Sequence, residues 1–524
     1  MKRKSWPRIL SQVLILVLFM TMVPMTGLAT QQNDSASQPP TTGFEEREGD
    51  GWTTHEEELE FLEEVSESSD RVTYSQVGTT EEGRPLHLVR VGFPEPPSDE
   101  DIAEGRNMLV IGTQHGNENA PREMALQLLR DLAFTDDPQV LEQLSDATIL
   151  FIPTANPDGR EANTRSNAAG IDINRQHLSL STLEVQTIAE VLDQFNPDIT
   201  VDGHERPRAT GNPDIELLWP RNLNVDDELQ ALNQEMVEDY LFPAVEDAGF
   251  STGLYGSPGG AGGGDERIMR NMLGLRNGMG VLTETAGEQE PTYRVEAQKR
   301  AVESVLTFYR DRFEDVTAVM TGAPERQAEA GADQSQPFYL DGADNWDPTT
   351  VLEKKPSGYL LSETQAEEMS QHMALFSLQT EEVDGNGVFA SMSQPMMTVL
   401  PFLLDERATY NEVEGLALYD STDVGTATNM KSLVEHFEDE EAFSDASDAR
   451  ALKMHLTAVD RFEKQEESEK VLKHMNSFNT LLDHQKDNDV ISEKAYEDLG
   501  TYADYLLDKW EVGLDSSRVM DDAS

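Results

Sequence analysis

Short apolar runs alternate with longer helix-like segments through the first part of the chain. The runs at 107–112 and 148–152 have the apolar character of buried strands, and helix-like segments follow them at 121–132 and 183–195. Strands that alternate with helices predict an α/β fold, in which a mixed, mostly parallel sheet is flanked by helices on both faces. In open sheets of this kind, ligands bind beyond the carboxyl ends of the strands.

The same alternation extends over the region 49–320, which we expect to form one folded domain. The other predicted strands of this region lie at 72–77, 86–91, 199–201 and 280–283, and its other predicted helices at 56–65 and 226–248. Residues that follow the strand ends are therefore the first candidates for a functional site.

The rest of the chain is expected to form further domains, because 524 residues exceed what a single hydrophobic core usually supports. The polar segment 321–337 lacks apolar periodicity and is predicted to be a linker. Residues 338–424 mix short strand-like and helix-like runs, which predicts a small mixed accessory domain. Residues 425–524 carry apolar side chains three and four positions apart, which predicts a helical bundle module.

The first 29 residues have the pattern of a secretory signal peptide. Basic residues between Lys2 and Arg8 precede a largely apolar stretch at 9–20, and small residues allow cleavage after Ala29. The apolar stretch is shorter than a membrane span. Residues 30–48 are mostly polar and are predicted to be a disordered leader. The sequence therefore predicts a secreted, extracellular protein with no membrane span after signal removal.

Acidic residues outnumber basic residues by 99 to 40, which gives a net charge of −59. A surface of this kind repels nucleic acid and anionic membranes, so nucleic acid is excluded as a partner. Because salt screens the repulsion, the composition indicates a halophilic protein from a high-salt or alkaline medium, with an ordinary acidic secreted protein as the alternative. The chain has no cysteine, so any metal site must use His, Asp and Glu.

The stretch His115-Gly116-Asn117-Glu118 lies directly after the predicted strand at 107–112. An imidazole and a carboxylate three residues apart can point at one cation, and this N/O pair suits zinc while leaving room for a third ligand and a water molecule. His204 stands just past the predicted strand at 199–201, and Glu284 directly follows the predicted strand at 280–283.

Four stretches of the chain, in this order, resemble motifs of the zinc carboxypeptidase family, the metallocarboxypeptidases, and with the signal peptide they suggest a secreted bacterial member. The four stretches lie at 115–118, 156–175, 197–204 and 280–285, and the resemblance covers about residues 50–320. It implies that His115, Glu118 and His204 bind one zinc ion and that Glu284 is the general base. It further implies that Arg165 polarises the scissile carbonyl, and that Asn174 and Arg175 bind the terminal carboxylate of the substrate.

The chemistry of these residue types agrees with the resemblance. Zinc with three protein ligands keeps a water molecule and lowers its pKa toward ~7, and a nearby carboxylate such as Glu284 can take the proton. The planar guanidinium of Arg175 suits a carboxylate, so with Asn174 it would select a free chain end and hold the scissile bond in place. The sequence therefore predicts a zinc-dependent metallocarboxypeptidase that acts on peptide or protein C-termini.

Several assignments keep alternatives. His177 could replace His204 as the third ligand, and Glu205 or Glu288 could replace Glu284 as the base. Asp202 is either a residue that orients a ligand histidine or a turn residue. Arg165 could be an ordinary surface arginine.

The segment before Glu284 departs from the family. The glycine-rich run 259–264 lacks the Gly-Lys-Ser/Thr ending of a phosphate loop and is interpreted as a mobile loop over the site. Many family members carry a lid tyrosine here, whereas 262–268 contains none, so Tyr255 or Arg267 could take its place. Three residues, Met269, Arg270 and Arg276, are either pocket residues or helix surface. A basic pocket residue would favour acidic side chains in the substrate.

Three other functions compete with the carboxypeptidase. A zinc-dependent deacylase of the aspartoacylase type shares the first motif, but export and the turn at 156–159 argue against it. A cell-wall peptide amidase or endopeptidase is the second. An inactive homologue that acts as an extracellular binding module is the third, although the presence of Glu284 argues against it. The C-terminal module is predicted either to attach the protein to a cell surface or to be a soluble appendage.

Overall fold

The computed structural model describes residues 39–207, 212–256, 265–383 and 387–521, with side chains up to residue 511. The predicted signal peptide, the leader up to residue 38 and the glycine-rich run 259–264 lie outside these residues. Within the described part, no helix is both long enough and apolar enough to cross a membrane.

A mixed sheet lies at the centre of the first region. Its strands in chain order are β1 Val72–Thr79, β2 Pro85–Val91, β3 Asn107–Ile111, β4 Thr148–Ile152, β5 Ile199–Arg206, β6 Ile215–Leu218, β7 Thr252–Leu254 and β8 Met279–Ala286. Their order across the sheet is β1-β2-β4-β3-β5-β8-β6-β7. Strands β4, β3, β5 and β8 run parallel, as do β6 and β7, whereas the pairs β1–β2, β2–β4 and β6–β8 are antiparallel. The predicted α/β fold with a mixed, mostly parallel sheet is confirmed.

Helices cover both faces of this sheet. They are α1 Gly43–Glu46, α2 His55–Ser68, α3 Asp99–Glu104, α4 Ala120–Phe134, α5 Pro138–Asp146, α6 Pro157–Ala162, α7 Leu183–Phe195, α8 Asp227–Glu235, α9 Phe242–Asp247, α10 Met269–Leu275, α11 Pro291–Asp311 and α12 Phe313–Ala332. Successive side chains of β3 point to opposite faces, so Met108 and Val110 pack with α4, while Leu109 and Ile111 pack with α7. Both faces of the central strands are therefore buried, as their apolar runs predict.

Two strands that carry candidate site residues are longer than the sequence predicts. Strand β5 continues past residue 201 to Arg206, and β8 continues past residue 283 to Ala286. The two strands pair in parallel over their whole length, and His204 lies opposite Glu284 in the register. These polar residues stay in the sheet because the neighbouring strand satisfies their backbone groups. His204 and Glu284 therefore lie within strands, and not after them.

The prediction of a disordered leader is wrong for residues 39–48. Thr42 caps α1 through a capping box with Glu45. Phe44 is 3% exposed and stacks on Trp52, with 4.9 Å between the ring centroids. A single buried aromatic residue and one capped turn anchor this polar segment, and its average composition hides both features.

The predicted linker 321–337 is also largely helical. Helix α12 continues to Ala332 with Pro324 inside it, and its residues Ala323 and Gln327 are buried. Arg326 forms a bidentate ion pair with Asp226, the N-cap residue of α8. Tertiary contacts thus stabilise a helix that Gly322 and Pro324 disfavour locally.

The region 338–424 contains short strands and helices, as predicted for an accessory domain. They are β9 Phe338–Tyr339, β10 Val351–Leu352, β11 Gly358–Ser362, α13 Glu363–Glu368, α14 Ser370–Leu375, β12 Thr380–Val383, β13 Gly387–Ser391, α15 Leu400–Leu404 and β14 Leu416–Leu418. However, Phe338, Leu352 and Phe402 belong to the same hydrophobic cluster as Val281 of β8. The region therefore shares one core with the first region.

The C-terminal part is helical, as predicted. Its helices are α16 Ala427–Asp439, α17 Ala446–Glu463, α18 Ser468–Asp487 and α19 Glu493–Asp521. Their apolar stripes form a second cluster that includes Met430, Leu456, Phe478 and Leu499. The repeated three-and-four spacing is therefore the buried stripe of a helical bundle.

Candidate active site

The loop between β3 and α4 holds His115 and Glu118 in a fixed conformation. A Cβ atom on Gly116 would lie 1.9 Å from the carbonyl carbon of Gly159, so the loop backbone packs directly against the turn at the start of α6. Asn156 stabilises this turn and bonds it to the loop. Its Oδ1 accepts a hydrogen bond from the Gly159 N–H, and its Nδ2 donates to the Gln114 carbonyl. Glycine at 116 therefore permits a close contact that joins two of the sequence motifs.

Three predicted ligands meet at this edge of the sheet. The Nδ1 atom of His204 lies 3.1 Å from Nδ1 of His115 and 2.8 Å from Oε2 of Glu118, and the other oxygen of Glu118 lies 2.8 Å from Nδ1 of His115. One donor atom from each residue lies within 4.8 Å of the other two. All three side chains are buried.

This donor set fits zinc. Two imidazoles and one carboxylate are a three-ligand set of the kind that catalytic zinc uses. Burial alone would raise the pKa of Glu118, but the neighbouring His115 and His204 lower it, so the carboxylate is ready to bind a cation. Two further carboxylates orient the histidines, because Oδ1 of Asp172 lies 3.0 Å from Nε2 of His115 and Oδ1 of Asp202 lies 2.9 Å from Nε2 of His204.

His177 lies outside the group of ligand atoms. Its Nε2 is 2.7 Å from Oε1 of Gln114, whose Nε2 in turn donates to Asp202. Burial lowers the pKa of His177 to about 4, so it is neutral at physiological pH. The side chain therefore supports Asp202 through Gln114, and the geometry favours His204 as the third ligand. For Asp202, the contact with His204 favours a residue that orients a ligand histidine over a simple turn residue.

Glu284 lies beside the ligand group with one free oxygen. Its side chain is 7% exposed, and among the described residues Oε2 has no hydrogen-bond partner. Burial raises the pKa of Glu284 to about 8, with Glu118 adding to the rise and His204 opposing it. A positive charge held by the ligand group would favour the ionised carboxylate.

The two competing glutamates, Glu205 and Glu288, are less suited to act as the base. Glu205 accepts hydrogen bonds from the backbone N–H groups of Asn119 and Ala120 and pairs with Arg294 at 2.5 Å, so it caps the start of α4. Glu288 lies after the end of β8 and does not line the cavity. Glu205 also lines the cavity, but its oxygens are bonded to Arg294 and to backbone N–H groups, so Glu284 is the better candidate for the base.

A small cavity of about 80 Å³ brings the predicted substrate-binding residues together. Its walls include Arg165, Asn174 and Arg175 with His115, His204 and Glu284. Asn174 is held on both sides, because Oδ1 accepts from the Met269 N–H at 2.8 Å and Nδ2 lies 2.9 Å from Nε2 of His204.

The arginines near the cavity contact carboxylates. Arg165, with a side chain 46% exposed, donates from Nε to Oδ2 of Asp172 at 2.9 Å and lies 3.4 Å from Glu118. Arg175 donates to the carbonyl of Asn174 and lies 3.7 Å from Asp265. Asp172 was not singled out by sequence reasoning, although it stands only two residues before Asn174.

Comparison with known proteins agrees with this geometry. Residues 58–244 match a family model described as zinc carboxypeptidase. The chain carries a zinc carboxypeptidase domain. The matched range contains the three ligands, Arg165, Asn174 and Arg175, whereas Glu284 lies after it and is brought into place by the pairing of β5 with β8. A second family model, described as FIMAH domain, matches residues 427–508 in the helical bundle.

Individual relatives are distant. Carboxypeptidase 2 of Trichophyton equinum is 27% identical over 54% of this chain and 57% of its own length. Carboxypeptidase E of Caenorhabditis elegans is 28% identical over 36% of this chain and 42% of its own length. A metallo-carboxypeptidase structure from Pseudomonas aeruginosa superposes with a TM-score of 0.41 and 21% identity, covering 50% of this chain and 69% of that one. The chain thus spans about half the length of the curated relatives it matches.

The two candidates for the place of the missing lid tyrosine, Tyr255 and Arg267, lie in different positions. Tyr255 lines the cavity, and burial raises its pKa, with Glu284 adding to the rise. Arg267 instead pairs with Asp265 and stacks 3.6 Å from the ring centroid of Tyr410. Of the two, Tyr255 is the one that faces the site.

The three pocket candidates also differ. Arg270 lines the cavity, whereas Met269 contributes its backbone N–H to Asn174. Arg276 points away and donates to the carbonyl of Leu375 at 2.8 Å. Of the three candidates, Arg270 is therefore the one that lines the cavity.

The buried carboxyl group of Glu266, just before α10, should make the stability of the fold depend on pH. It is 7% exposed, and burial raises its pKa from 4.5 to about 7. The folded state therefore binds this proton more tightly than the unfolded state, so stability falls as pH rises through the interval 4.5–7, by about 3 kcal/mol. In Glu266→Gln this loss is absent, and the variant should be more stable than wild type by about 3 kcal/mol at pH 8 and equally stable at pH 4.

Denaturant unfolding of both proteins across this pH range at constant salt measures the difference. Glu81→Gln, at an exposed position, is the matched control and should give a difference that does not change with pH. A constant difference for Glu266→Gln as well would contradict the prediction.

Proposed function

We propose that this chain is a secreted zinc-dependent metallocarboxypeptidase that hydrolyses the C-terminal peptide bond of peptides or proteins. The observation that carries the proposal is the position of Glu284, a buried carboxylate that lies opposite His204 in the strand pairing and whose Oε2 has no hydrogen-bond partner in the described part of the chain. A scaffold that only binds peptides has no need of such a group, so the arrangement argues against an inactive binding module.

Each residue has a distinct task in the proposed reaction. His115, Glu118 and His204 would hold one zinc ion, and such an ion would act as a Lewis acid that lowers the pKa of water and polarises a carbonyl group. Oε2 of Glu284 takes a proton from the attacking water and delivers it to the leaving amine. Arg165 faces the carbonyl oxygen that gains negative charge.

Substrate selection follows from the other two cavity residues. Arg175 is a planar donor that binds a carboxylate through two parallel hydrogen bonds, and Asn174 adds a third donor. Because both line the same small cavity as Glu284, they would hold a free C-terminal carboxylate with the last peptide bond beside the base.

Peptides that differ only at their ends test this function. We expect the protein to release single C-terminal residues from peptides with a free carboxylate and to leave the same peptides intact when that carboxylate is amidated. Mass spectrometry of the products measures both. Internal cleavage, or release of an acyl group from an acylated amino acid, would instead favour the endopeptidase or the deacylase.

The location of the enzyme is part of the proposal. Residues 1–29 are proposed to direct export and to be removed after Ala29, so the N-terminus of protein recovered from culture medium should begin at Thr30. The net charge of −59 supports a high-salt habitat, in which the fold should lose stability on dialysis to low salt. Attachment to cell surfaces is proposed for the helical bundle, and removal of residues after 425 should then abolish binding to cells.

A further inference from the structure

One wall of the active-site cavity is a short helix that the rest of the chain holds in place. Ile268 and Arg270 at the start of α10 line the cavity, and the N–H of Met269 holds the amide oxygen of Asn174. The position of α10 therefore decides where both Arg270 and the carboxylate-binding Asn174 lie.

Residues of the region 338–424 contact α10 along its far side. The Thr398 hydroxyl donates to the carbonyl of Leu275, the last residue of α10. Just beyond it, Nδ2 of Asn277 donates to the carbonyl of Pro395 at 2.9 Å, and the guanidinium of Arg276 donates to Leu375. Two parts of the accessory region, at Leu375 and at 395–398, thus anchor the end of this helix.

The fourth contact reaches the cavity wall itself. Asp344, from the loop between β9 and β10, pairs through Oδ2 with the guanidinium of Arg270 and through Oδ1 with Nε of Arg221 at 2.9 Å. Arg270 is 1% exposed and Asp344 is 2% exposed. A further hydrogen bond of 3.0 Å runs from Arg270 to the carbonyl of Trp219. The guanidinium is therefore fixed on two sides.

Two guanidinium groups, those of Arg270 and Arg221, share the carboxylate of Asp344 in this cluster. Opposite charges interact more strongly in a buried site than in water, because the surrounding medium is less polarisable. A substrate side chain that enters the cavity beside α10 therefore meets the guanidinium of Arg270 in the wall.

We propose that Asp344 is a positioning residue for the active site, which holds Arg270 in the cavity wall so that the enzyme prefers substrates with an acidic C-terminal side chain. The proposal rests on the carboxypeptidase function proposed above and adds a substrate class to it. It also makes the region 338–424 a working part of the catalytic unit.

Matched peptides that end in Glu, Gln or Lys test the preference in the full chain. The Glu and Gln peptides have the same shape and differ in one charge, so their ratio of kcat/KM reports the electrostatic effect. We expect wild type to favour Glu over Gln by about tenfold and to disfavour Lys further. In Arg270→Gln this preference should disappear.

A double-mutant cycle tests whether Asp344 acts through Arg270. Asp344→Asn should raise KM for the Glu peptide about tenfold with a smaller change in kcat. The substitution removes the partner that holds Arg270 in the cavity wall, but it leaves the base Glu284 in place. In an Arg270→Gln background the same substitution should have no further effect on KM. This double variant replaces both charges, so it avoids an unpaired buried arginine at 270 and serves as the second measurement if Asp344→Asn folds poorly.

Asp405→Asn is the matched control. Asp405 is also 2% exposed and bonded to an arginine, Arg407, and to the Tyr359 hydroxyl, but it does not line or back the cavity. It should lower stability without changing KM or the Glu-to-Gln ratio.

The outcomes separate the two proposals. If wild type releases no C-terminal residue from any peptide, the carboxypeptidase function fails. If it releases Glu, Gln and Lys equally well, or if Asp344→Asn changes KM no more than Asp405→Asn does, the carboxypeptidase function stands and the positioning role of Asp344 is overturned. Additive effects of the two substitutions on KM would overturn it as well.

Discussion

Replacing Glu284 by Gln should lower kcat about 1,000-fold, within the range by which general acid–base groups accelerate reactions. Glutamine keeps the shape of the side chain but cannot take a proton, so KM should change little and the ligand group should still bind zinc. The loss would then be confined to the transition state. Steady-state kinetics on a peptide with a free C-terminus, together with the zinc content of the purified variant, measures both quantities.

Glu288→Gln provides the matched control for this prediction. It is the same substitution four positions further along the chain, beyond the end of β8 and outside the cavity. Its kcat should stay within about threefold of wild type, because side chains away from the site contribute little. A large loss in Glu288→Gln with a small one in Glu284→Gln would assign the base to Glu288.

The second large effect concerns the metal. His204→Gln removes one of three ligands, and we expect zinc affinity to fall more than about 100-fold, since even groups that only orient ligands contribute about 10–100-fold. Activity should fall with the bound zinc, and a chelator should abolish wild-type activity in the same way. Metal analysis of the dialysed proteins, normalised to chain concentration, measures the effect.

His177→Gln is the comparison that decides between the two histidines. His177 is equally buried and lies in the same network, but it contacts Gln114 instead of the ligand atoms. We expect this variant to retain zinc after dialysis at a level near one ion per chain. If zinc is lost from His177→Gln and kept in His204→Gln, the ligand set is His115, Glu118 and His177.

The parts of the fold that the sequence predicts well have local signals. Strand β4 and helix α7 begin and end where predicted, because apolar runs and helical spacing are visible within a few residues. The ends of β5 and β8 were missed because polar residues such as His204 and Glu284 continue these strands. Only the pairing of the two strands, which are about 80 residues apart, keeps them in the sheet.

The same reasoning explains the corrections further out. Residues 39–48 are polar on average, but Phe44 and Trp52 bury one stacked pair that orders them. Helix α12 continues through Gly322 and Pro324 because Arg326 pairs with Asp226, a partner 100 residues away. Contacts between residues so far apart along the chain leave no periodic signal in a single sequence.

For the candidate site, the residues that carry the chemistry were predictable and their supports were not. The motifs place His115, Glu118 and Arg175 near strand ends or in the turn that follows. Asp172 and Asp344 are two acids among 99, and nothing in the local sequence distinguishes them from solvated surface residues. Their contacts with His115 and Arg270 appear only once the chain is folded.

The core shared between the first region and residues 338–424 has a consequence for how the enzyme is made. The ribosome delivers the chain from its N-terminus, so His115, Glu118, His204 and Glu284 are synthesised well before Asp344 and Thr398. Domains tend to fold as units once their chain is complete. Until residue 404 has been synthesised, the hydrophobic cluster around Val281 lacks Phe402 and helix α10 lacks its outer supports. The nascent chain therefore carries His115, Glu118, His204 and Glu284 before the contacts that hold helix α10 can form, so assembly of the site waits for the region 338–424.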